Sequence, residues 1–169
     1  MALPNNPPIS MRQIYDEFQV PYGTSFKQLY RGGPYVPNIA QNANISTDPN
    51  QLKMSQFYGA VRYIPMNVTA NPTSADGQVF QNEPAPNQRT VNASTMIGVT
   101  GGTGSYTYST AHLSGDVFSV FNGNTANPAW SANVFKGGTR SAVYRCTVSD
   151  GVGSAFVDVP VNLSYFTDL

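Results

Sequence analysis

The sequence predicts a mainly β chain, with a β-sandwich at the C-terminus preceded by an irregular N-terminal region with short helices. Three observations carry that expectation. From Tyr63 onward, apolar and polar residues alternate with a period of two, the signature of half-buried strands. Turn residues interrupt that alternation about every 8–12 positions, as in a sandwich of short strands. Before Tyr63 neither period holds, and one short motif occurs three times instead. The expected boundaries are therefore residues 1–62 for the N-terminal region and 63–169 for the β-domain.

The motif reads apolar, any residue, Gln, apolar, Tyr. Its copies are Met11-Arg12-Gln13-Ile14-Tyr15, Phe26-Lys27-Gln28-Leu29-Tyr30 and Met54-Ser55-Gln56-Phe57-Tyr58. In the first, Ser10 can N-cap a helix with Gln13 at N3, a capping box, while Ile9 packs on Ile14 as a hydrophobic staple. Ser25 and Gln28 repeat the box in the second. Lys53 stands at the cap position of the third and breaks it, although Leu52 and Phe57 can still staple. Gly32-Gly33 and Gly59 follow as stops. Such helices are one or two turns long and are unstable alone in water. Two readings stay open. Either the helices pack on one another as a minimal subdomain, or their apolar residues dock onto a partner chain.

The β pattern is clearest near the end. Val157, Val159, Val161, Leu163 and Tyr165 point one way, while Asp158, Pro160, Asn162 and Ser164 point the other. Pro160 places an edge there, since proline cannot complete a central ladder. Tyr144, Cys146 and Val148 alternate likewise, and Asp150-Gly151 joins the two strands as a hairpin. Earlier strands are expected near 66–70, 78–82, 90–99, 105–110, 117–121 and 130–135. The turns between them carry Asp76-Gly77, Gly101–Gly104, Ser114-Gly115, Asn122-Gly123 and Gly137-Gly138.

Composition narrows the function. Nine basic and nine acidic residues cancel, so charge offers no case for nucleic acid or for a membrane surface. Charged residues are only 11%, and 16 Asn and 9 Gln make the surface polar without charge. No apolar run reaches the roughly 18 residues that a membrane span needs. The first residues lack the basic and apolar segments of a secretory signal, so synthesis in the cytoplasm is expected. Cys146 is the only cysteine, which excludes an intrachain disulfide and a cysteine-rich metal site.

Catalytic chemistry is sparse. His112 is the only histidine, and a Cys146/His112 dyad competes with the simpler reading of Cys146 as a core residue on an inward register. Glycines 98, 101, 102 and 104 lack the following Lys and helix of a phosphate loop, so they read as a turn. The scattered Asp76, Asp116, Asp150 and Asp158 have no calcium-loop spacing. Neither a cofactor nor a metal is expected, and the chain reads as non-enzymatic. Six of ten tyrosines precede residue 64, and aromatic residues are enriched where proteins meet proteins.

Two resemblances add to this. Tyr144-Arg-Cys-Thr-Val-Ser-Asp150-Gly resembles the F strand and F–G turn of an immunoglobulin-like domain, with Tyr144 where a tyrosine corner stands. Gly101-Gly-Thr-Gly-Ser-Tyr-Thr-Tyr-Ser109 resembles the B–C turn and C strand of bacterial and phage immunoglobulin-like modules. The second cysteine is absent and Trp130 lies beyond the C strand, so the likeness is to the disulfide-free microbial type. Residues 8–60, with the three motif copies and Tyr35-Val-Pro-Asn38, resemble segments of tailed-phage structural proteins.

The resemblance implies a virion component, assembled in the host cytoplasm and released by lysis. Its N-terminal region would dock to other virion structural proteins in the tail, neck or capsid surface. The docking residues would be Ile9, Met11, Ile14, Tyr15, Phe26, Leu29, Tyr30, Met54, Phe57 and Tyr58. The immunoglobulin-like domain would project as a decoration or host-surface adhesion module, present in several copies as a homo-oligomer, with Tyr144 and Cys146 in structural roles. The alternative is a carbohydrate-binding module that stacks a host-surface glycan on exposed aromatics, Trp130 or Tyr106 and Tyr108.

Overall fold

A computed structural model describes residues 2–167. The chain divides into two compact units at Pro65/Met66. The stretch before that point belongs to the first unit because its backbone is tied back into it. Val61 N–H donates to Asn42 Oδ1 at 2.9 Å, and Arg62 N–H donates to Glu17 Oε1 at 3.1 Å.

Among its described residues the first unit holds one α-helix, α1 (Met11–Phe18), and three single 3₁₀ turns at Phe26–Gln28, Ala40–Asn42 and Met54–Phe57. Ser10 caps α1, with Gln13 N–H donating to Ser10 Oγ and Ser10 N–H donating to Gln13 Oε1. The box does not recur fully. Ser25 Oγ accepts from Lys27 N–H instead of from Gln28, since a 3₁₀ turn is too tight to offer the N3 amide. Gln56 Oε1 still accepts from Lys53 N–H at 3.0 Å, but an ammonium has no lone pair to complete the exchange. The core consists of Leu3, Ile14, Phe18, Val20, Leu29, Val36, Ile45, Phe57 and Ala60. Phe57 meets Phe18 edge-on at 6.2 Å and Phe26 at 5.7 Å.

The second unit is an immunoglobulin-like β-sandwich, with nine strands among the described residues. They are β1 (Asn67–Asn71), β2 (Ala75–Gln81), β3 (Gln88–Ser94), β4 (Met96–Thr100), β5 (Thr107–Gly115), β6 (Ser119–Phe121), β7 (Ala129–Phe135), β8 (Thr139–Ser149) and β9 (Ser154–Thr167). One sheet runs β2-β9-β8-β5, a second runs β3-β7-β6, and β1 pairs with β4. β2 lies parallel to β9, and the other pairings are antiparallel. Ala142, Tyr144, Cys146 and Val148 of β8 and Val159, Val161, Leu163 and Tyr165 of β9 face inward, as their alternation requires. They meet Val91, Trp130 and Val134 of the smaller sheet.

Three sequence expectations change. The strand expected over 90–99 is two strands in different sheets. Buried Thr95 separates them, its Oγ1 donating to Pro72 O and its N–H to Pro128 O. Asp76-Gly77 is no turn, because both residues lie inside β2. A Cβ on Gly77 would stand 2.2 Å from the Asn92 carbonyl oxygen, so this glycine serves close strand approach. Ser114-Gly115 forms the end of β5, after a bulge between His112 and Ser114. Pro160 sits opposite Val143 of β8, and β2 joins the far side of β9 only from Val161. The missing amide is therefore on a locally open side.

Candidate docking surface

The three motif copies converge on one arrangement. The apolar residue before Tyr, namely Ile14, Leu29 or Phe57, is completely buried in each. The opening residues Met11, Phe26 and Met54 are half-buried and pack on the same core, as do Ile9 and Tyr15. Tyr30 and Tyr58 are also half-buried. Ile14, Leu29 and Phe57 thus point into their own unit, and the reading in which they face a partner does not apply to them. Burying each contributes roughly 1.5–3 kcal/mol to that core. Of the half-buried motif residues, Met11 and Tyr15 line an open groove.

That groove is built on α1. Met11 and Tyr15 sit one turn apart on the helix, so their side chains are neighbours. Tyr15 Oη donates to Thr24 O at 2.5 Å, which ties the helix to the following turn. Its ring meets Tyr22 at 6.1 Å, and Tyr22 Oη donates to Asp16 Oδ1 at 2.8 Å. Arg12 stands 3.8 Å from the same carboxylate and is largely exposed. Met11, Arg12, Tyr15 and Tyr22 line an open groove of about 410 Å³. A second cavity of about 460 Å³ lies beside Leu3, Gln13, Glu17 and Arg62. Rigid aromatic rings, a thioether and a guanidinium on one groove are the residue types enriched in protein interfaces.

Sequence reasoning missed two residues that matter here. Tyr22 was not among the expected site residues because it lies outside the motif. Asn42 also lies outside the motif, yet it is buried. Its Nδ2 donates to Pro37 O and Val61 O while Oδ1 accepts from Val61 N–H. An Asn inside an Asn-rich stretch carries no local mark of that role.

In the sandwich, Tyr144 is the hub. Its ring meets Trp130 at 5.6 Å, Phe118 at 6.2 Å and His112 at 5.3 Å. Its Oη accepts from Phe118 N–H at 2.8 Å and reaches Phe118 O at 3.3 Å. The hydroxyl is anchored in the core to backbone ahead of β6. Cys146 is buried two residues further along β8, opposite Thr110, with Sγ 3.8 Å from Thr110 Oγ1. Burial pushes its thiol pKa up, opposite to the shift that a nucleophile needs.

Trp130 is completely buried and therefore offers no stacking platform for a sugar. Its indole N–H has no hydrogen-bond partner among the described residues. Tyr106 and Tyr108 are half-buried, with Tyr106 Oη donating to Gly101 O. The Gly101–Gly104 loop is held by Asp150, whose Oδ2 accepts from Thr103 N–H while Oδ1 accepts from Val152 and Gly153 N–H. A carboxylate thus already takes the Thr103 amide of this loop. No cluster of three or more His, Cys, Asp or Glu side chains suited to a metal occurs among the described residues. None of their helices is long and apolar enough to cross a membrane.

The outer face of the larger sheet carries ordered charges. Arg145 Nε and Nη2 donate to Asp158 Oδ1 and Oδ2 at 2.8 and 2.9 Å, and the guanidinium lies 3.8 Å from the Phe156 ring centroid. Those hydrogen bonds hold the Asp158 carboxyl below its ordinary pKa and raise that of Arg145. Ser74 and Asn162 likewise lower Asp76 by hydrogen bonding its carboxylate.

No protein-family model matches the chain, and no curated protein matches it. Among solved structures, the chain is similar to the PKD domain of human KIAA0319. The match has 16% identity, covers 60% of this chain and 83% of that one, and has a TM-score of 0.30.

Proposed function

We propose that the chain is a non-enzymatic structural component of a tailed-phage particle. The first unit docks to other virion proteins, and the immunoglobulin-like domain projects as a decoration or adhesion module. The resemblance of residues 8–60 to tailed-phage structural proteins supports the setting. The observation that carries the docking role is the groove lined by Met11, Arg12, Tyr15 and Tyr22. Met11 and Tyr15 flank the core of this unit, while Arg12 and Tyr22 stand outside it and are free to meet a partner. Tyr22, 69% exposed, adds an aromatic ring to that groove, and aromatic residues are enriched where proteins meet proteins.

Mass spectrometry of purified particles, with wild-type protein and the Arg12→Ser/Tyr22→Ser variant compared, tests the reading. Wild-type protein should copurify with the particle. The variant should melt as the wild type does and be lost from it. Absence of the wild-type chain from particles would refute the virion role. Full incorporation of the variant would move docking elsewhere.

A further inference from the structure

β5 is the longest edge strand of the sandwich and ends the four-stranded sheet. One side pairs with β8, from Thr107 opposite Ser149 to His112 opposite Tyr144, before the bulge shifts the register. Among the described residues, no backbone–backbone hydrogen bond is made on its other side. Natural edge strands are guarded by Lys, Pro, bulges or short length, because their open amides and carbonyls template pairing with another chain.

The guard on β5 is partial. Residues 107–115 contain no Asp, Glu, Lys, Arg or Pro. The bulge blocks one end and leaves residues 107–112 regular. The exposed apolar Leu113, Val117, Val120 and Phe121 follow in the chain. Other edges are better guarded. β2 carries Asp76 and β3 carries Arg89, while β1, β4 and β6 are short.

We propose that β5 pairs antiparallel with β5 of a second copy, joining two four-stranded sheets across a two-fold axis. Such pairing sets a strand against its own reversed sequence, so any charge on it meets a like charge nearby. An uncharged strand escapes that repulsion and offers nothing to a partner selected by complementary charge. Residues directly opposite must share a face. Within 107–112 that allows pairing centred on Ser109, with Thr107 opposite Ala111, or on Thr110, with Tyr108 opposite His112. Either register brings hydroxyl-bearing and β-favouring side chains together.

Sedimentation velocity of the full chain over a concentration series tests this. The wild type should form a dimer. The Ser109→Lys/Ala111→Lys variant sets lysines against each other in either register, and should weaken the dimer about tenfold or more. Gln78→Lys on β2 should leave it intact. In case the double variant fails to fold, amide exchange of the wild type is read at dilute and concentrated extremes, where residues 107–112 should gain protection on concentration. A monomer at every concentration would overturn the proposal. So would a dimer that resists the double variant, is equally weakened by Gln78→Lys, or adds no protection at residues 107–112. None of these readouts depends on particles, so failure here is distinct from failure of the docking role.

Discussion

At the scale of single residues, Tyr144 shows how the core of the sandwich pairs a buried hydroxyl. Tyr144 was legible from its place two residues before Cys146 on an inward register, and it is the centre of the core. Its hydroxyl partner was not legible, because Phe118 lies far back in the chain and nothing local marks the contact. Tyr144→Phe keeps the ring but leaves the buried Phe118 amide without an acceptor. It should cost about 1–3 kcal/mol in chemical denaturation. An unchanged midpoint would remove the hydrogen bond from the account. Asp158 and Asp76 set a pH dependence of definite sign. Both carboxyls have folded-state pKa values below their ordinary ones, so the unfolded chain takes up protons first as pH falls. Their contribution is fully present above the ordinary carboxylate range and is lost as pH drops through the folded values. Asp158→Asn should therefore flatten part of the acid limb of stability against pH, and an acid limb identical to that of wild type would contradict this.

At the scale of elements, periodicity exposed β8 and β9 because each buries one clean face, and it failed where a strand changes sheets. The apolar pattern over 90–99 continues through Thr95, yet the chain turns there from β3 to β4. Asp-Gly is an honest turn signal in isolation, and β2 overrides it because Gly77 lets the backbone of Asn92 approach. Gly77→Ala tests that override. Its Cβ would meet a carbonyl oxygen of a neighbouring strand, and the overpacking should cost roughly 1–3 kcal/mol or more. A melting temperature equal to that of wild type would mean that the contact is looser than described. The three motifs were legible as short helices, and their Gln residues reach back to the cap amide in the first and third. Their destination was not legible, because the same apolar spacing serves a private core or a partner's surface.

At the scale of the whole molecule, two units carry separate cores, one of motif residues and one of strand residues. Residues 66–169 alone should unfold cooperatively on heating, and an aggregated or unfolded fragment would show that this core depends on the first unit. The central claim is that the three motifs pack on one another within a single chain, which frees the α1 face for docking. Native-state amide exchange of the free, full-length protein tests it most directly. The amides of Leu3, Arg31 and Val61 donate to Ala60 O, Ser46 O and Asn42 Oδ1, partners far away in the chain. They report on the assembled unit rather than on any one helical turn. All three should be protected, and to a similar degree, before any partner is present. Exchange at the rate of an unfolded chain in the free protein, with protection appearing only on assembly, would contradict it.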